Sequence, residues 1–190
     1  MSGEQFKDAV RRLHGEKSAA YGVSWKRRGE LISVLANIAR KVDRVEQISS
    51  GGPITRDESL VDTAVDLLVY SIKYQTFLAD QDTQVAAYLF HAPGKSFSEG
   101  TAGFEELFRA IDFGLLDAPD TPTLVDASIR VGEAFANLER CFSEPSAPSE
   151  VFDRLHYAMA LTDSAIALVA AVRSEAPESY AEFLRVWETS

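Results

Sequence analysis

Residues 57–70 read DESLVDTAVDLLVY, and this stretch decides the fold. Val61, Val65, Leu68 and Ile72 recur at the three-and-four spacing of one helical face, while Leu60, Ala64, Leu67 and Val69 carry apolar character most of the way round. Such a helix is covered on several sides. Along one edge, Glu58, Asp62, Asp66 and Tyr70 nevertheless follow one another at four-residue intervals. Carboxylates on a covered helix are costly unless they meet cations, hydrogen-bond donors or a metal ion.

The preceding segment supplies partners. Leu31, Val34, Leu35, Ile38, Val42, Val45 and Ile48 mark a helix from Glu30 to Ser49. Lys41 and Arg44 share a face of it, with Asn37 one turn earlier. The glycines and proline of SSGGPITRD then break the chain. Asp57 is placed to cap the next helix, which is expected over 57–80. An antiparallel hairpin of these two helices brings Lys41 and Arg44 toward Asp62 and Asp66.

Working outward, the pattern is helical nearly everywhere and no alternating strand stands out. Helices are expected over 4–17, 83–90, 104–116, from Pro122 to Phe142, over 150–174 and over 177–187, with Asp120 or Thr121 as the cap before Pro122. The fold class is all-α, a bundle built on helix hairpins. Residues 1–80 carry the candidate site, 81–99 connect, and 100–190 form a second helical half. VDRV (42–45) and LERC (138–141) each end a long helix that is followed by a Pro- and Ser-containing break and another long helix, bearing Asp66 or Asp163. A degenerate tandem duplication and a chance likeness of two hairpins both account for this.

The chain is 190 residues long and 46% hydrophobic, enough for a substantial core. One cysteine, Cys141, excludes an intrachain disulfide. The N-terminus has no apolar leader, and the most apolar stretch, 158–172, is short and interrupted by Thr162, Asp163 and Ser164. A soluble cytoplasmic protein without a membrane span is expected. Residues 1–56 hold 11 Lys/Arg against 6 Asp/Glu, whereas residues 57–190 hold 8 against 23. The acidic bulk opposes non-specific nucleic-acid binding, but a local basic patch suits a small phosphorylated ligand.

Two functions fit the acids and bases. In one, Asp62 and Asp66, with Glu58, hold Mg²⁺ or Mn²⁺ through hard carboxylate oxygens and serve as the catalytic set. Lys41 and Arg44 then hold phosphate, Asn37 and Tyr70 lie close by, and Trp25 and Tyr21 can stack on a base. In the other, the same charges form a structural salt-bridge network with no ligand.

Lys17 with Tyr21-Gly22, then Lys41-x-x-Arg44, then Asp57 through Tyr70, in that order, resemble the nucleotide-modification-associated domain of phages and bacteria across residues 10–80. More distantly, the pattern is similar to the all-α nucleotide pyrophosphohydrolases, the MazG and dimeric dUTPase group. The resemblance implies MazG-like helix hairpins and a Mg²⁺-dependent nucleoside triphosphate pyrophosphohydrolase, linked to nucleotide modification or pool control. Because those enzymes assemble bundles between protomers, it also implies either a homodimer or one chain imitating a dimer. Two departures stand out: the acid before Asp66 is four residues away rather than three, and Lys41 and Arg44 occupy the place of a Glu-x-x-Glu. The alternative is a non-catalytic helical interaction protein, phage-derived or acting in phage conflict.

Overall fold

The computed structural model describes residues 3–51, 59–91, 96–143 and 150–188. Among them are eight α-helices and no strand: α1 (Gly3–Tyr21), α2 (Ala36–Ser49), α3 (Leu60–Gln81), α4 (Thr83–Phe90), α5 (Ala102–Ala110), α6 (Leu124–Arg140), α7 (Val151–Glu175) and α8 (Pro177–Glu188). The all-α expectation holds. Most breaks fall at the Gly- and Pro-bearing segments, where the backbone cannot continue a helical ladder.

The central helix α3 starts later than expected. Asp57 and Glu58 lie outside the described residues; the described cap is Ser59, whose Oγ accepts from the Asp62 amide at 3.2 Å while Asp62 Oδ2 accepts from the Ser59 amide at 3.1 Å. This reciprocal box satisfies two amides that the first helical turn would otherwise leave without partners. At the other end Asp82 turns extended and accepts from the amides of Gln84 and Val85, so α4 begins with no intervening loop. Before α6 the cap is Thr123, which accepts from the Asp126 amide, rather than Asp120 or Thr121. The 104–116 helix also divides: α5 stops at Ala110, and a separate 3₁₀ turn covers Gly114–Asp117.

Hairpins α2–α3 and α6–α7 face each other, α3 on α7 and α2 on α6. Ala158, Ala165, Ala167, Ala170 and Ala171 are all buried on α7, and their small side chains allow close helix approach. Between the two long helices Gln75 Nε2 donates to Thr162 Oγ1, and Thr162 Oγ1 donates to Ser71 Oγ, both at 2.9 Å. Buried hydroxyls and an amide are thereby paired. Helix α7 has the length and apolarity that a bilayer-crossing segment also shows, beyond what its polar residues suggested; here it is a core helix, 67% of its most apolar window being buried. Helices α1 and α8 pack together on one side, and a single core runs from Phe6 to Leu184 across both halves of the chain.

The expected 30–49 helix opens with a π-turn, Glu30–Leu35, before regular α2. Gly29 enters it at φ 82°, in the left-handed region that favours glycine. Glu30 accepts hydrogen bonds from Tyr74 of α3 and Arg154 of α7, each at 2.5 Å. Ser33 Oγ accepts from the Arg28 amide, and Asn37 Nδ2 donates to the Ser33 carbonyl. The wider turn carries Leu31, expected in the core, out to 57% exposure, and leaves Ile32 at the rim of a cleft.

Candidate functional site

Three elements converge on Asp66. Lys17, on α1, places Nζ 2.6 Å from Oδ1, and Lys41, on α2, places Nζ 2.9 Å from Oδ2. The hairpin therefore makes the cation–carboxylate meeting anticipated from residues 41 and 66, and α1 adds a second ammonium. Yet the carboxylate does not close the site. Two adjoining cavities, of about 460 and 580 Å³, share Asn37, Arg40, Asp66 and Tyr70. Both lie within the roughly 300–1,000 Å³ usual for small-molecule sites.

The outer cavity is bounded by Arg40, Lys41 and Arg44 on α2, with Asp43 beside them. The inner cavity runs under the π-turn between α1 and α3, where Lys17, Lys73, Trp25, Tyr21 and His14 line it. Of the candidate residues, Lys41, Arg44, Asn37, Tyr70, Trp25, Tyr21 and Asp66 are thus brought to one cleft. Trp25 belongs to the core as well, at 6% exposure with its ring edge-on to Phe77, whereas Tyr21 is 68% exposed. Arg40 donates to Asn37 Oδ1, which aligns that pair along the rim.

Asp62 behaves differently. One oxygen is engaged in the Ser59 box, and the residue borders another groove, beside Glu178, Glu182 and Trp187 of α8. The capping pattern Ser59-x-x-Asp62 is visible in the sequence and is the signal for this role. Glu58, the third expected ligand, lies outside the described residues. Magnesium and manganese ask for several hard oxygens. Here each oxygen of Asp66 faces an ammonium, Asp62 serves a helix end, and no three metal-ligating side chains group together among the described residues. The described donors do not fit a resident Mg²⁺ or Mn²⁺.

What they do fit is an anion. Among the described residues, Lys17, Arg40, Lys41, Arg44 and Lys73 border the two cavities together with Asp66 and Asp43, on a chain whose net charge is −10. A cationic cleft in an acidic surface concentrates the field at the cleft. Burial, reinforced by Lys17, lowers the Lys73 ammonium to about 8. Its Nζ sits 4.4 Å above the Trp25 ring and 5.6 Å above Tyr70. Burial, then the Asp66 charge, raises the Tyr70 phenol, which stays a neutral donor at pH 7. His14, Arg40 and Lys73 escaped the sequence reading. His14 and Lys17 are three residues apart on α1, one turn of the same face, and that spacing was the available signal.

Compared with known proteins, the chain matches no family model, no curated protein and no solved structure. Its functional assignment therefore rests on the chemistry of this cleft.

Proposed function

We propose that this cleft binds a nucleotide through its phosphates. Arg40, Lys41 and Arg44 receive the phosphate oxygens at the outer cavity, Lys17 stands at the junction, and the aromatic side chains of the inner cavity take the rest of the ligand. Asp66 is the positioning group, holding two lysines that would otherwise repel each other. The observation that carries this reading is the excess of cations over carboxylates, among the described residues, around an open, two-part cavity.

Hydrolysis of the kind the resemblance implies needs metal-held carboxylates, which the described part of the cleft does not supply. Binding is the function the geometry supports. The structural alternative draws on one observation, the ion pairs at both oxygens of Asp66. Against it stand the further cations, Arg40 and Lys73, and the cavity beside them.

A thermal-shift series of ribose 5-phosphate and nucleoside mono-, di- and triphosphates, each in EDTA and in Mg²⁺, separates these possibilities. Ligand at about 100 times its Kd stabilises the native state by about 2.7 kcal/mol. For a chain of this length that raises Tm by about 5–10 °C. The expected result is a shift in EDTA that grows with phosphate number. A shift seen only with Mg²⁺ supports a metal site instead, and no shift in either condition leaves the structural network.

A further inference from the structure

His14 is 2% exposed, and neither ring nitrogen has a hydrogen-bond partner among the described residues. A buried polar group without a partner is unusual and costly. Its ring stacks on Phe104 with centroids 3.8 Å apart, which fixes its plane, and it lines the inner cavity. Burial, helped by the Lys73 charge, lowers its pKa to about 4. At neutral pH the imidazole is uncharged, with one nitrogen able to donate and the other to accept.

Lys73 lines the same cavity, held over Trp25 and Tyr70, and an ammonium can only donate. The Ser24 hydroxyl lines it too. Donors therefore predominate at this end. A flat ligand entering beside Trp25 is matched by an edge that accepts hydrogen bonds.

We infer that the inner end of the cavity is a ring subsite, where His14 and Lys73 receive the carbonyl edge of an oxo-substituted heterocycle. This rests on the phosphate-binding role of the outer cations, because the phosphates anchor the ligand in register. The subsite favours a 6-oxopurine over a 6-aminopurine and a 4-oxopyrimidine over a 4-aminopyrimidine. An amino group in place of the carbonyl presents donors to Lys73 and leaves the subsite's own donors without an acceptor.

The test is calorimetric titration at pH 7 with two matched pairs, inosine against adenosine 5′-monophosphate and uridine against cytidine 5′-monophosphate. Ribose 5-phosphate is the phosphate-only control. The oxo member of each pair is expected to bind at least about tenfold more tightly, as for a hydrogen bond to a charged group. His14→Phe keeps the stacking on Phe104 and should shrink that preference while leaving ribose 5-phosphate binding unchanged. Should the variant not fold, the His14 ring nitrogens in wild-type protein provide the readout: their NMR signals should shift with inosine monophosphate and not with ribose 5-phosphate. Equal affinities within both pairs, or an undiminished preference in His14→Phe, overturn the subsite while phosphate binding stands. Absence of binding by every ligand, ribose 5-phosphate included, removes the phosphate site itself.

Discussion

Replacing Asp66 by Asn distinguishes an anchor for cations from a ligand for a metal. The substitution keeps shape and removes charge from a side chain that is 12% exposed and touches two ammonium groups. At an effective dielectric constant of about 20, two unit charges 4 Å apart attract by about 4 kcal/mol before desolvation is counted. Lys17 is 46% exposed, so solvent screening reduces its pair to about 0.5–1 kcal/mol. Lys41 is only 20% exposed, and losing its partner costs about 2 kcal/mol, below the range for fully buried pairs. The sum, about 2.5–3 kcal/mol, lowers Tm by about 5–12 °C in a chain of this length. Pyrophosphate should then restore part of the loss, raising Tm more in Asp66→Asn than in wild type, because the Asp66 charge no longer offsets the cations of the cleft. Differential scanning fluorimetry in EDTA reads both effects. An unchanged Tm together with no greater pyrophosphate response would falsify the anchoring role.

Four other perturbations probe the scaffold. Burial holds the His14 pKa at about 4 in the folded state against the usual 6.5, so between those values the unfolded chain binds a proton that the native state does not. Stability should fall as pH drops through that window, by about 3 kcal/mol at pH 4; urea titrations should show His14→Phe losing this part of the slope. Tyr74→Phe removes a donor to Glu30 and should cost about 1–2 kcal/mol, whereas Arg154→Met, which leaves Glu30 without its charge partner, should cost about 3–5 kcal/mol by the same measurement. Gly103→Ala places a methyl 2.2 Å from the Phe97 carbonyl oxygen, a backbone atom that cannot rotate away, and should lose about 3 kcal/mol.

Much of the architecture was legible because its signals are local. Pro177, the Gly51–Pro53 break and the apolar spacing of 60–72 mark helix ends and faces without any tertiary information. The pairing of Lys41 with Asp66 followed from a hairpin whose two helices were both visible. The π-turn at 30–35 was not visible, because Glu30 is drawn into place by Tyr74 and Arg154, residues 44 and 124 positions away. Asp62 differs from the expected ligand role for a different reason. Its four-residue spacing from Asp66 fits a shared edge, but Ser59 engages its carboxylate at the helix start. Arg40 and Lys73 carry no such local signal, because a lone cation on a helix ordinarily faces solvent; the fold places them beside the same cavity.

The central claim is that the cleft holds phosphate by its own cations, without a resident metal. Titrating a nucleoside triphosphate in EDTA into wild type and into Lys17→Ala/Lys41→Ala, at low and at moderate salt, tests it most directly. Wild type should bind, more weakly as salt rises, and the double variant should lose most of the affinity. Binding that requires Mg²⁺, or that survives loss of both lysines unchanged, would contradict it.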